Sequence, residues 1–282
     1  MRPLVSVICV CYNHERFVLE ALESVKAQTY PHVELIVVDD GSSDNSAKII
    51  GQWLNKNPPV QFLNLKINQG YCMAFNKAFA KAKGEFIIDL AADDVLLPDR
   101  IEKGIEGFIL RGEKYGVQFG DAAYMDIEGK ITGKHSDRFP HRTTPEGDVY
   151  RDIIQRYFVC SASMMVRKSV LDQMGGYDKA LYYEDFDLWI RASRNHWFFY
   201  VPEILVRKRI VPGSLGDKQY SRQENQMLST YLVCLKVFRL NRTKEEKKAL
   251  NKRIFYEMKW SLRFLHLGLT IKYLFLLVRN RF

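Results

Sequence analysis

With 282 residues, 47% of them hydrophobic and 13% aromatic, the chain can bury a substantial core, as one large domain or as a domain with an appendage, and it is excluded from the disordered classes. Its net charge of +9 suggests a polyanionic partner: nucleic acid, acidic lipid or a phosphorylated small molecule. That charge is uneven, because Arg242 to Phe282 holds 11 Lys and Arg against 3 acidic residues, leaving +1 for residues 1–241. No run of about 20 uninterrupted apolar residues occurs, which excludes an ordinary membrane-spanning helix.

The N-terminal MRPLVSVICVCYN begins like a signal peptide, with a positive residue before apolar ones. It is short, lacks a small-residue cleavage site and runs directly into polar residues, so it reads as a first strand over 4–11. ERFVLEALESVKAQ (15–28) sets Phe17, Val18, Ala21, Leu22 and Val25 on one helical face. A strand over 33–38, a helix over 44–54 opened by the capping residues of GSSDNS and a strand over 60–65 follow. A helix over 71–83 and a strand over 85–90 complete four strand–helix repeats. Strands apolar on both faces, alternating with helices, predict a parallel sheet covered on both sides.

Beyond residue 120 the periodicity loosens. GDAAYMDIEGKITG predicts a hairpin turning at Glu128-Gly129, and the polar, Pro-bearing stretch 135–148 is expected to be mobile. A helix over 149–157, a strand over 160–166, a helix over 184–195 and two or three helices from about Lys218 are expected. The five cysteines form no CxxC pair, and a reducing, cytosolic compartment is the natural reading.

In an open parallel sheet, ligands bind beyond the carboxyl ends of the strands. Here Tyr12 and Asn13 end the first strand, Asp39 and Asp40 the second, Asn68 and Gly70 the third, and Asp93 and Asp94 the fourth. Taken singly, DDGSSD is usually a loop with a helix cap and NQG a turn; in order, at four strand ends, they read as one binding rim. Adjacent carboxylates repel, so Asp93 and Asp94 require a cation or a retained proton. Mg2+ or Mn2+, bridging carboxylate to a diphosphate, fits such a pair. Neither GxxxxGKS nor GxGxxG is present, so phosphates are expected to be neutralised by metal rather than cradled by glycines.

Together VSVICVCYNHERFVLEALESVKAQTYPHVELIVVDDGSSDNS, NQGYCMAFNKAFAKAKGEFI, LAADDVLLPDR and GGYDKALYYEDFDLWIRA resemble the sequence blocks of family 2 glycosyltransferases of the GT-A fold. The resemblance covers about residues 4–120 and 158–215 and does not reach the tail. It implies an α/β GT-A catalytic domain over 1–217, a parallel or mixed sheet flanked by helices. Residues 1–120 would bind the nucleotide sugar and 121–217 the acceptor, with 218–282 a basic helical C-terminal extension. The implied reaction is inverting, metal-dependent transfer of a hexosyl or N-acetylhexosaminyl group from a UDP-sugar to a cell-surface glycan or lipid-linked saccharide. By position, Tyr12 would stack on the base with Glu15 near it, and Asp40 would accept from base or ribose. Asp93 would contact ribose or metal, Asp94 would hold Mn2+ or Mg2+ on the diphosphate, and Asp185 would be the general base.

Three positions depart from the pattern. Ala91 stands where relatives often have a carboxylate, Phe75 where many have Arg, and Val211 where many have a metal- or phosphate-binding His. His135 or His141 could compensate. Phe186 and Trp189 flank Asp185 at core-packing spacing, Glu184 and Asp187 are acceptor contacts or solvated helix carboxylates, and Asp121 could line the acceptor side.

The tail over 252–282 mixes Trp, Tyr, Phe and Leu with Lys and Arg, which suits a helix lying on an anionic membrane surface, here the inner face of the cell membrane. The other reading is packing against the domain or a second subunit in a homo-oligomer. No nucleic-acid motif accompanies the charge. Two rival functions are a sugar-phosphate nucleotidyltransferase, which would need a glycine-rich loop after the first strand, and an inactive binding or scaffold protein of the same fold.

Overall fold

A computed structural model describes residues 2–57, 59–139, 143–213 and 224–280. Alternate residues of β1 (Val5–Cys11) serve two cores: Val5, Val7, Cys9 and Cys11 enter one, and Ile8 and Val10 the other. This period of two on a strand buried on both faces places the sheet between helical layers. The chain continues through α1 (Val18–Lys26), β2 (Val33–Asp40), α2 (Ser46–Leu54), β3 (Gln61–Leu65), α3 (Tyr71–Phe79) and β4 (Phe86–Ala91). These are the four expected repeats, with the third helix ending four residues early.

Next come β5 (Val95–Leu96), α4 (Arg100–Arg111), β6 (Tyr115–Met125), β7 (Ile131–Lys134), α5 (Tyr150–Gln155), β8 (Met165–Arg167), α6 (Lys168–Met174), α7 (Asp185–Ser193) and β9 (Trp197–Arg209). The described strands form one mixed sheet in the order β3-β2-β1-β4-β8-β6-β9-β5, with β7 paired to β6. β1, β2, β3 and β4 are mutually parallel where they pair, and β8 is antiparallel to both β4 and β6. The expected hairpin forms between β6 and β7, with Gly129 at φ +85° in its turn.

The segment expected to be mobile is in part ordered: His135–Arg138 forms a 3-10 turn against β6, and α5 begins at Tyr150. Ser136 donates from its N–H and its hydroxyl to Asp121, at 3.0 and 2.6 Å. Asp121 is thereby committed to holding this turn.

The tail forms α8 (Glu224–Leu240), α9 (Lys244–Arg263) and α10 (Leu267–Arg279). Thr243 caps α9 reciprocally: Glu246 N–H donates to its hydroxyl, and its own N–H donates to the Glu246 carboxylate, each at 3.2 Å. Met227, Val233, Val237, Leu250, Ile254 and Leu269 from these helices are buried in the same core as Ile8 and Val10. The expected boundary at 217/218 lies outside the described residues. No described helix is long and apolar enough to cross a membrane.

Candidate active site

Strand register levels the rim. Cys11 of β1 pairs with Asp39 of β2 and Val10 with Ala91 of β4, so the residues that follow each strand emerge side by side. Tyr12 is 44% exposed at this edge. Asn13 adopts φ +57°, an uncommon conformation for a side-chain-bearing residue. It is fixed from the neighbouring loop: its N–H donates to Ser42 Oγ at 2.9 Å, and its Oδ1 accepts from Ser43 N–H at 2.8 Å. Glu15 closes the same seam by accepting from Asn45 N–H and Nδ2, at 2.9 and 2.8 Å. Its carboxylate is thus engaged in joining the β1–α1 loop to the β2–α2 loop.

Asp39 and Asp40 are both buried but differ in what they touch. Asp40 accepts from the backbone N–H groups of Gln69 and Gly70, each at 2.9 Å, which ties it to the β3–α3 loop. Burial nevertheless raises its pKa above the ordinary carboxylate value. Asp39 accepts from Ser42 N–H through Oδ1, and its buried Oδ2 has no hydrogen-bond partner. Gly41 must be glycine for two reasons: φ is +72°, and a Cβ would lie 2.6 Å from Asn68 N. Asn68 Oδ1 in turn accepts from Gly70 N–H at 3.1 Å, and Gly70, at φ +87°, opens α3.

Asp93 and Asp94 occupy the turn after β4. Asp94 is 4% exposed and accepts from Arg209 N–H at 2.8 Å. Burial, and then the Asp93 carboxylate, push its pKa well above the usual range. Asp93 lies 3.9 Å from His14 Nδ1, a buried nitrogen with no hydrogen-bond partner. Among the described residues no three His, Cys, Asp or Glu side chains could hold a metal by themselves. Two adjacent carboxylates still suit Mg2+ or Mn2+, which commonly takes one or two protein carboxylates and completes its shell with phosphate oxygens and water. His135 does not supply a third ligand: its Nδ1 bonds Tyr124 OH at 2.9 Å and its Nε2 meets Phe158 O at 3.0 Å. His141 lies outside the described residues.

On the opposite side, Asp185 is the first residue of α7, where the helix dipole favours negative charge. Its Oδ1 is buried without a partner. Beside it burial, then the carboxylates of Asp185 and Asp89, raise Glu184 well above its ordinary pKa. Asp187 is not solvated; it is buried in ion pairs with Arg191 and Lys236, both at 2.6 Å. Phe186 and Trp189 are core residues.

The sequence reading missed two parts of this site. Asp89, inside β4, accepts from Tyr71 OH at 2.7 Å and Tyr177 OH at 2.8 Å, and burial pushes its pKa up to about 7. Phe75 stacks on Tyr177 with ring centroids 4.1 Å apart, and neighbouring Asn76 clamps Tyr177 by its backbone N–H and C=O, both at 2.8 Å. The second omission, Lys208 of β9, lies in the field of Asp94 and Asp185. Its only sequence signal is its place in a run of cations.

The sequence profile of glycosyl transferase family 2 matches residues 6–175. The chain belongs to this family. As a family 2 member it is a glycosyltransferase, and it resembles an uncharacterized glycosyltransferase of Methanocaldococcus jannaschii, 29% identical over 82% of this chain and 78% of that one. It is 26% identical to the putative teichuronic acid biosynthesis glycosyltransferase TuaG of Bacillus subtilis, over 85% and 90% of the two chains. Among solved structures, residues 1–349 of S. aureus TarS in complex with UDP-GlcNAc align with a TM-score of 0.70 at 21% identity, covering 89% of this chain and 71% of that one. The mannosyltransferase PcManGT of Pyrobaculum calidifontis, in complex with GDP-Man and Mn2+, aligns with a TM-score of 0.66 at 14% identity, covering 100% and 88%. These alignments identify the family 2 fold here as GT-A.

Proposed function

We propose that this family 2 enzyme inverts the anomeric centre while transferring a sugar from a nucleotide diphosphate, with UDP the favoured nucleotide, to a hydroxyl of a cell-surface glycan or lipid-linked saccharide. The observation that carries the reading is the row of acidic side chains at neighbouring strand ends, Asp39 and Asp40 closing β2 and Asp93 and Asp94 following β4, where His14 Nδ1 and Asp39 Oδ2 are also buried without hydrogen-bond partners. Adjacent carboxylates at one rim call for a compensating cation, and a nucleotide diphosphate with its cation would complete the open atoms there. The TarS complex with UDP-GlcNAc, the PcManGT complex with GDP-Man and Mn2+ and the teichuronic acid role given to TuaG are consistent with that ligand class.

Each residue then has a task. Tyr12 offers an exposed ring for the base, Asp39 and Asp40 face the base and ribose, and Asp93 and Asp94 face the diphosphate. A divalent cation held by Asp93 and Asp94 supplies Lewis-acid neutralisation of the departing diphosphate when bound. Asp185 takes the acceptor hydroxyl proton as the acceptor oxygen bonds to the anomeric carbon from the face opposite the phosphate. The carbon–oxygen bond to phosphate breaks, and its electron pair leaves with the nucleoside diphosphate. A positioned base contributes about 10²- to 10⁴-fold in rate.

The tail supports a membrane-side acceptor. α9, α10 and the turn between them expose Leu262, Leu265, Leu267, Ile271, Leu274 and Phe275 beside Lys259, Arg263 and Lys272, an amphipathic surface suited to anionic lipid. The two-unit division at 217/218 follows the same reading, with the extension bringing the acceptor side to the membrane.

Screening nucleotide sugars by thermal shift and slow hydrolysis tests the donor. A UDP-sugar should raise Tm and release UDP; no shift and no hydrolysis with any nucleotide sugar would reject the proposal.

A further inference from the structure

β9 carries three consecutive cations, Arg207, Lys208 and Arg209, past the acidic turn that follows β4. Side chains alternate across a strand, so Lys208 faces opposite to its two neighbours. Arg207 is exposed, whereas Arg209 is buried and fully engaged: its guanidinium donates to Asp93 O at 3.1 Å, Asp126 O at 3.0 Å and Glu20 Oε2 at 2.5 Å. Lys208 is half-buried and pairs in register with Tyr124 of β6. The next residue, Arg209, donates its N–H to Asp94 at 2.8 Å, so Lys208 follows the acidic turn closely, and Asp94, Asp185, Tyr124 and Cys160 all act on its ammonium electrostatically.

No carboxylate among the described residues lies within the 4.0 Å of an ion pair with its ammonium. Elsewhere at the site cations are matched closely, as Arg209 is by Glu20. A half-buried ammonium beside the acidic turn, with no carboxylate in ion-pair contact, is available to an anion that enters there. Burial by itself would lower its pKa, but Cys160, Asp94, Asp185 and Tyr124 outweigh that effect and raise it, so the charge persists at working pH.

We propose that Lys208 contacts the diphosphate of the donor directly and supplies, from within the chain, part of the positive charge that the leaving group requires. The inference rests on the donor reading above and adds a residue to it. As the bond from the anomeric carbon to the phosphate oxygen breaks, the electron pair stays on that oxygen. The ammonium stabilises the resulting charge by a charge-assisted hydrogen bond and keeps its own proton. On this reading donor binding has a component that needs no metal.

The test is calorimetric titration of UDP and of uridine into wild type, Lys208→Met and Lys208→Arg, each in EDTA and in Mn2+. The expected result in EDTA is a loss of about tenfold or more in UDP affinity for Lys208→Met, unchanged uridine affinity, and recovery in Lys208→Arg. Equal UDP affinity in wild type and Lys208→Met overturns the inference, as does an equal loss for uridine, which marks a merely structural residue. Wild-type UDP binding that vanishes in EDTA overturns it too, because the metal then carries the whole charge. Should Lys208→Met lose its thermal transition, Lys208→Gln takes its place in the same comparison. A wild-type protein that binds neither UDP nor any other nucleoside diphosphate in either buffer overturns the donor reading itself, an outcome distinct from the others.

Discussion

The backbone N–H of Arg209 donates to Oδ1 of Asp94 at 2.8 Å, joining the end of β9 to the turn after β4 across 115 positions of sequence. The side chain of Arg209 reinforces the joint by donating to Asp93 O. The diacid is thereby oriented before any ligand arrives. Asp94→Ala is expected to abolish the Mn2+-dependent increment in UDP affinity, measured by calorimetry with and without the ion. An unchanged increment would place the cation elsewhere.

Asp185 stands at the first turn of α7 with one buried oxygen unpartnered. Asp185→Asn keeps its size and removes the proton acceptor. Transfer should fall by roughly 10²-fold or more, the lower range of general-base contributions, while UDP affinity stays within about twofold, as for a residue that only meets the acceptor. Comparable turnover in wild type and variant would remove Asp185 as the base.

Asp89 sets a pH dependence of stability. Its folded pKa of about 7 lies above the ordinary carboxylate value of 3.8 because of burial, although Tyr71 and Tyr177 both donate to it. Between those two values the native state binds more protons than the unfolded state, so the Asp89 contribution is full below about pH 4 and is lost as pH rises through about 7. Relative to Asp89→Asn, wild-type unfolding free energy should fall by up to about 1.4 kcal/mol per pH unit over this window. Parallel stability curves for the two proteins, from urea unfolding at each pH, would contradict the assignment.

For the tail, removing whole helices is a poor test, because Leu250, Ile254, Leu269 and Tyr273 are part of the main core. Leu274 and Phe275 are exposed on α10, so Leu274→Ser with Phe275→Glu spares that core. Wild type should co-sediment with anionic liposomes and the double variant should not, at unchanged Tm. Equal sedimentation of both would reject a lipid-facing α10, and a concentration-dependent dimer lost in the variant would assign the face to a second copy.

The α/β half was legible because its strands are buried on both faces and so read as unbroken apolar runs, as in Val5–Cys11 and Phe86–Ala91. β9 leaves no such trace. Its burial changes along its length, and its register with β6 jumps from Val201 opposite Gly120 to Ile204 opposite Asp121. That bulge accommodates Pro202 and Glu203, which would otherwise argue against a strand. α4 was passed over for a similar reason: it buries Arg100, whose guanidinium donates to Gln118 and to the carbonyls of Ser163 and Met164.

Within the site, the carboxylates at strand ends were found because position in a parallel sheet predicts a binding rim. What each carboxylate touches could not be read. Only the fold reveals that Asp40 is engaged by the Gln69 and Gly70 amides whereas neighbouring Asp39 keeps a free oxygen. Lys208 was invisible for the same reason, since a lysine in a charged run is normally solvated, whereas here strand register sets it half-buried opposite Tyr124, where Asp94 and Asp185 act on its charge.

The most direct measurement is a crystal structure with UDP and Mn2+ bound. The account predicts the base against Tyr12, the diphosphate between Asp93, Asp94 and Lys208, and the ion on the paired carboxylates. A nucleotide bound away from the ends of β1, β2 and β4 would contradict it.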